Sequence, residues 1–390
     1  MDEQDLLERF HRLEAPASRL TVEAVVRAGR RRTRLRRTAQ AGCAAALVAG
    51  ALIGVPQLPG FDRAAPGVAG RAGSCEATRL PVPAGAANVW AVTVDPTGRY
   101  IAGYAISGPF DVDPATNKRT GTVPSRPVLW IDGRAQELPA PQRAVQPAAV
   151  NAAGVVVAVA GDRKRFDSVL RYVGGEPQQA LLPAGSWEVG PDARINAEGD
   201  ILFNATLAGQ PDTKNAVMLW KAGASRATRL PLPPGADGKA LTEDGAVVGE
   251  LPSDASQLTS YVWDQAGNGR KLTAPRGQQA TVNAGRGDWA TGNAWPSGGA
   301  IRWNLKTGEL TTYDGVHAPA QAINSRGWLL TDDTLRRDDG ATEVVPLVEG
   351  EARSFSSDLS DDGTVVGSLV SVDATGATTS LGPLTWRCGG

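Results

Sequence analysis

Three observations predict an all-β fold for this chain: a seven-bladed β-propeller closed by its own N-terminal strand. A turn of the form Asn/Asp-x-x-Gly recurs along residues 75–390. A second hairpin, usually carrying Trp, follows each copy. The strand missing after the last copy is found at the start of the same region. Composition agrees: 46 Gly and 27 Pro among 390 residues disfavour a helical protein, and 42% hydrophobic residues suffice for a core.

The turn copies are VDPTGRYIAG, VNAAGVVVAVAG, INAEGDILFNA, LTEDGAVVGEL, VNAGRGDWATG, INSRGWLLTDD and LSDDGTVVGSL. Their glycines, from Gly98 to Gly363, are spaced by 56, 45, 46, 42, 40 and 36 residues. Asn or Asp with Gly supplies the positive φ that a tight strand-to-strand turn requires. The second hairpins are RPVLWIDGRAQELPAP, AVMLWKAGASRATRLPLPPG, SYVWDQAGNGRKLTAPRG and IRWNLKTGELTTYDG. SVLRYVGGEPQQALLPAG has Tyr172 in place of Trp, and TLRRDDGATEVVPLVEG has neither. Two hairpins per copy make four strands, and four strands per 40–45 residues is the period of a propeller blade. After LSDDGTVVGSL comes only one more strand, TSLGPLTWRC. CEATRLPVPAG, residues 75–85, matches ATRLPLPPG of the third copy and supplies the absent partner.

That splice predicts a disulfide. Aligning Trp386 with Trp220 and Leu80 with Leu230 sets Cys388 and Cys75 on either side of a turn that the last blade lacks. An extracytoplasmic compartment would keep such a bond oxidised.

Residues 1–37 carry ten Arg and six acids, and seven of the Arg fall between Arg27 and Arg37. Thr38–Leu58 follows without a charge, long enough to span a bilayer. Basic residues stay on the cytoplasmic side, so the expected order is a helical cytoplasmic head (1–37), a transmembrane helix (38–58), a Pro/Gly-rich linker (59–73) and an extracytoplasmic propeller (74–390). A cleaved signal peptide shares the basic-then-apolar order, but its basic region is ordinarily much shorter. Arg outnumbers Lys 33 to 7, as in high-GC bacterial genomes.

The pairing of INxxGxVVG-like and VLWxxG…LP hairpins resembles the extracellular HAF-type repeats of bacteria, although the His of those repeats is absent: Arg126 and Ala216 stand before the corresponding strands. The short head resembles cytoplasmic heads of high-GC bacterial single-pass proteins, some of them anti-sigma regulators. It lacks the Cys residues of the zinc-binding kind.

Catalytic signatures are missing. The chain has no G-x-S-x-G, Walker loop, dinucleotide fingerprint or C-x-x-C, and only two His, so no cofactor and no metal site is expected. A net charge of −1 argues against nucleic acid. The Asp pairs 332–333, 338–339 and 361–362 read as turn residues. Asp111 and Asp113, within DVDPATNK, offer alternating oxygen ligands but lack the Gly and distal Glu of a calcium loop. Arg286-Gly287-Asp288 spells an adhesion tripeptide on an expected turn.

Trp130, Trp220, Trp263, Trp303 and Trp386 repeat at one blade position and are expected to pack between blades. Trp90, Trp187 and Trp295 do not repeat. With His317, Phe355 and the 108–125 insertion they are expected on the face around the channel mouth, where aromatics bind sugars, peptides or proteins. The expected function is a non-catalytic binding or sensing module for an envelope protein or glycan. The alternatives are an envelope hydrolase or lyase with carboxylates at the channel, and signalling through residues 1–37 to a cytoplasmic regulator.

Overall fold

The computed structural model describes residues 73–388, apart from 109–110, 113–118, 121, 163–164, 212–213, 255–256, 314–317, 333, 347–352 and 373–377. The expected head, transmembrane helix and nearly all of the linker lie outside the described residues. Among those described there is no α-helix, and so none long and apolar enough to cross a membrane.

The fold is an all-β propeller. Antiparallel sheets each present their first strand inward: Val89–Val94, Ala144–Val150, Trp187–Ile195, Asp237–Leu241, Gln279–Arg286, Ala322–Ile323 and Arg353–Leu359. The expectation of seven separate blades is corrected. Five sheets stand alone, four of them four-stranded and one five-stranded, while the first two expected blades form a single eight-stranded sheet. The join is one parallel pairing, Ser125 with Ala144, made by the Ser125 N–H donating to Arg143 O at 3.1 Å. The five-stranded sheet, built from short strands within Ala322–Val344, gains its extra member when Gly73–Ser74 pairs parallel with Thr342–Val344.

Ring closure follows the sequence reading. Glu76–Arg79 pairs antiparallel with Thr378–Arg387, from Glu76 opposite Arg387 to Arg79 opposite Leu384. Cys75 and Cys388, both buried, are joined by a disulfide with Cα atoms 4.3 Å apart. The bond stands where the other sheets have a turn between third and fourth strands.

The repeated Trp and Leu-Pro motifs act together between sheets. Trp130, Trp220, Trp263, Trp303 and Trp386 are all fully buried. Leu80, Leu138, Leu230, Leu272 and Val345, each directly after the outer strand of one repeat, pack with Trp130, Tyr172, Trp263, Trp303 and Trp386 of the next repeat, and the Leu138–Tyr172 contact lies within the eight-stranded sheet. The carbonyl one residue further on then accepts the ring's polar hydrogen in four cases. Trp130 Nε1 donates to Pro81 O at 2.7 Å, Trp303 Nε1 to Thr273 O at 2.7 Å and Trp386 Nε1 to Pro346 O at 3.1 Å. The Tyr172 hydroxyl donates to Pro139 O at 2.6 Å. Trp220 departs from this pattern. The carbonyl it would use, Leu181 O, already accepts from Ala227 N, so its indole turns to Ala224 O at 2.8 Å.

A second glycine in the turn motif has a steric cause. The inner strands bulge at nearly the same level, between Ala91 and Thr93, Gly238 and Ala240, Val282 and Ala284, and Ser356 and Asp358. The residue before each bulge pushes its carbonyl against the second strand. A Cβ at Gly103 would overlap Trp90 O, and one at Gly292 would overlap Thr281 O. The bulge also frees backbone N–H groups, which the preceding sheet satisfies. Ala91 N donates to Ser368 Oγ at 3.2 Å, Gly238 N to Asn204 Oδ1 at 2.9 Å and Val282 N to Glu250 Oε1 at 2.7 Å.

The turn motif's first polar residue is a buried cap. Asn151 Oδ1 accepts from Ala153 N and Val155 N, while its Nδ2 donates to Asn196 O, the same position in the next copy, at 3.1 Å. Asn324 does the same for Arg326 N, Trp328 N and Ser360 O. Asp361 N donates to Pro96 O at 2.9 Å, linking the last turn to the first.

Two predictions follow from these contacts. Replacing Cys75 and Cys388 together by Ser should lower unfolding free energy by up to about 5 kcal/mol on chain-entropy grounds, read from denaturant titration. Thiol titration of the denatured, unreduced protein should find no thiol within residues 73–388. Burial pushes the Glu250 carboxyl above the ordinary range, opposed by the Val282 N–H and by Lys239, with Asp237 adding to the rise. The folded state therefore holds this proton more tightly than the unfolded chain. Its contribution is fully present below the ordinary glutamate value and is lost as pH rises through the raised one. Glu250→Gln keeps the acceptor for Val282, so it should raise the denaturant midpoint at neutral pH and leave it unchanged at pH 4. Parallel pH–stability curves for the two proteins would refute the assignment.

Candidate binding channel

The inner strands enclose a cavity of roughly 540 Å³ on the propeller axis. That volume is in the range of small-ligand sites. Its wall differs from one end to the other.

At the end where the inner strands begin, Trp90, Tyr104 and Phe355 line the cavity with Gln146 and Gln321. Trp90 and Tyr104 face each other across a strand pair, so their side chains share one side of the sheet. Trp90 is held in place: its Nε1 donates to Asn88 Oδ1 at 3.0 Å, and the same oxygen accepts from Ser380 N at 2.8 Å. Asn88 adopts φ +53°, a left-handed conformation that Asn tolerates better than most residues. Burial raises the Tyr104 hydroxyl pKa, so it stays a neutral phenol. Phe355 is 53% exposed.

At the turn end, Arg286 reaches across the channel. Its Nη1 donates to Leu359 O at 2.9 Å, its Nη2 to Val94 O at 3.4 Å, and Asp358 lies 4.0 Å away. Arg286 pairs with Trp289 across a tight turn, at the position where other copies place a buried capping Asn, Ser or Thr. Here the turn is shorter and the side chain is released into the channel. The Arg-Gly-Asp tripeptide is thus not displayed as a unit: Arg286 faces inward, and Asp288 pairs with Lys306 at 2.7 Å.

A second irregularity lies in Trp187–Ile195. Its register passes from Val189 opposite Ala205 directly to Ala193 opposite Phe203, leaving Gly190, Pro191 and Asp192 as an enlarged bulge. Pro191 and Asp192 line the cavity. The Asp192 side chain is 62% exposed, and its closest charged partner, Arg194 Nη1, is 3.8 Å away. Arg194 spends its hydrogens on main chain, donating to Lys239 O at 3.0 Å and Ala193 O at 3.1 Å. The other channel carboxylates serve the backbone. Asp358 accepts from the Thr93 hydroxyl at 2.9 Å, Val94 N at 3.0 Å and Leu359 N at 2.8 Å, and Glu243 accepts from Ala197 N.

Of the aromatic residues expected on the face around the channel mouth, Trp90 and Trp187 stand at the starts of inner strands and Trp295 lies opposite Gln279, which starts another, but only Trp90 of the three lines the cavity itself. Trp90 lines the channel. Trp187 is half-buried, donates to Pro183 O at 3.0 Å and packs against its own sheet's core. Trp295 is 65% exposed but stands outside the cavity lining. His317 and Asp113 lie outside the described residues. Asp111 belongs to a two-residue strand, Asp111–Val112, paired with Arg119–Thr120. The acidic pairs act in turns and in ion pairs: Asp338 meets Arg302 at 2.7 Å, Asp361 accepts from Ser325 N and Asp362 from Thr364 N. Asp192 and Arg194 escaped the sequence reading, and Arg286 was noticed only as the first residue of an adhesion tripeptide on an expected turn. The signal for Asp192 was Gly-Pro inside an otherwise regular strand, and for Arg286 an arginine in a capping position.

No family model matches the chain, and no curated protein does. Among solved structures, the propeller domain of the trilobed protease of Pyrococcus furiosus is similar, at 14% identity and TM-score 0.51, over 79% of this chain and 95% of that one. A puromycin-hydrolysing peptidase of Mycobacterium tuberculosis aligns at 14% identity and TM-score 0.48, over 80% of this chain and 56% of that one. At such identities the first similarity supports the propeller fold and says nothing of activity.

Arg286→Ala should remove two links across the turn end of the channel. The expected loss is about 1–3 kcal/mol, measured by denaturant unfolding. An unchanged midpoint would mean that these links carry no stability.

Proposed function

We propose that this protein is a non-catalytic binding or sensing module for a cell-envelope ligand, which it takes into the channel from the end lined by Trp90, Tyr104 and Phe355. The proposal includes the arrangement read from the sequence, with residues 1–37 cytoplasmic, 38–58 in the membrane and the propeller outside. One observation carries the binding role: a ligand-sized cavity has aromatic groups at one end, one of them oriented by a residue in a strained backbone conformation, and a bonded guanidinium across the other. A carboxylate-based hydrolase is less well supported, because Asp358 and Glu243 are engaged by backbone N–H groups.

The test is calorimetric titration of the full chain with a panel of envelope glycans and short peptides. A channel ligand should bind at least tenfold more weakly to Trp90→Ala and Phe355→Ala, with melting temperature little changed for the exposed Phe355. Binding that survives both substitutions would place the site elsewhere. Protease added to intact protoplasts should digest the propeller and spare the head. A protected propeller would reverse the orientation.

A further inference from the structure

We infer that the channel takes an aliphatic ammonium group carried on a narrow chain, with Asp192 as its counter-charge and the Trp90–Tyr104–Phe355 arc as its aromatic wall. The inference rests on the channel reading above and adds the chemical class of the ligand.

The repeat breaks in the third inner strand. Most inner strands bulge by a single residue at a common level, and the bulge there serves packing. Only the third copy enlarges it, to Gly190, Pro191 and Asp192. Bulges re-aim side chains, and enlarged ones are retained where they serve a site. This one sends into the cavity a carboxylate whose one contact among the described residues is the long 3.8 Å ion pair with Arg194. The core gains nothing from it: Asp192 is largely exposed, and a Cβ on Gly190 would meet nothing closer than 3.5 Å.

The charged groups of the cavity are unequally bonded. Both guanidiniums lining the cavity already donate to main-chain carbonyls, Arg286 to Leu359 and Val94, Arg194 to Lys239 and Ala193. Asp358 and Glu243 already accept from backbone N–H groups. Asp192 is left as the charge with spare hydrogen-bonding capacity, and it attracts a cation.

The cavity wall suits a cation as well. Three aromatic side chains line the same cavity, Trp90 and Tyr104 as a facing pair. Aromatic faces attract cations, and a carboxylate in the same partly enclosed space strengthens that preference. Arg286 across the far end disfavours a cation going through. The group therefore enters from the aromatic end and stops at the level of Asp192. An ammonium on an alkyl arm satisfies all three conditions, the arm lying along the aromatic faces. A lysine side chain of a protein and a free oligoamine share this chemistry.

The experiment titrates the full chain with three probes: a blocked Gly-Lys-Gly peptide, the same peptide acetylated at Nζ, and spermidine. The lysyl peptide, spermidine or both should bind, and the acetylated peptide at least tenfold more weakly than the lysyl one if the source is a protein side chain. Binding of spermidine alone would assign the site to free oligoamines. Asp192→Asn, at an exposed position that should not disturb folding, should weaken the cationic probe at least fivefold, and raised salt should weaken it in the parent protein more than in the variant. Equal binding of lysyl and acetyl-lysyl peptides, abolished by Trp90→Ala, would overturn the ammonium assignment and leave the channel as a binding site. Failure of both cationic probes, or their indifference to Asp192→Asn, would also overturn it. A glycan from the envelope panel that still depended on Phe355 would then keep the broader reading alone.

Discussion

The contact on which this propeller depends joins the residues that follow the outer strand of one repeat to the third strand of the next repeat. A Leu or Val side chain lies against a buried indole or phenol, and the following carbonyl accepts that ring's hydrogen. Burying an indole without an acceptor costs about 1–3 kcal/mol, so the ring needs its neighbour's backbone at a fixed place. Apolar packing alone would let adjacent sheets slide, whereas a directional bond sets their spacing and register. The contact passes through the ring closure unchanged, since Trp130 in the first sheet uses Pro81 of the closing segment. The exception supports the rule. Where Leu181 O is occupied, Trp220 bonds within its own hairpin, and Arg171 of the preceding sheet stacks on it at 4.4 Å instead.

Much of this was legible because the repeated residues each answer one physical demand. Turn glycines mark positive φ, buried polar residues before them cap the turn, and Trp with Leu-Pro marks the seam between sheets. The pairing of Cys75 with Cys388 could be read because the alignment located both ends of a missing turn. The number of separate sheets could not be read in the same way. The bond from Ser125 N to Arg143 O that fuses the first two units is backbone to backbone, and no residue type announces it. The second glycine of the motif could be seen but not understood until the bulged carbonyls were located.

The channel was less legible than the frame. Trp90, Trp187 and Trp295 were singled out because they do not repeat, and all three stand at the level where inner strands begin, but only Trp90 of them reaches the cavity wall. Failure to repeat marks a residue as free of the common packing role without saying where it points. Asp192 and Arg286 were informative in another way, as errors in a regular pattern: a Gly-Pro inside a strand and an arginine where a small polar cap belongs. Both errors open into the same space. In a repeat protein the residues that obey the repeat build the frame, and those that break it are left available for chemistry.

The junction at Cys75 also decides how the propeller meets mechanical tension. The chain enters through Gly73–Ser74, laid parallel on Thr342–Val344, and reaches the disulfide one residue later. A pull applied from the N-terminal side therefore passes at Cys75 into the end of Thr378–Arg387, the longest of the described strands. The closing strand Glu76–Arg79 lies beyond the covalent link and is shielded from the load. Only the two residues ahead of Cys75 can peel away. The same bond that completes the last sheet lets the protein be tethered by one end without opening its ring.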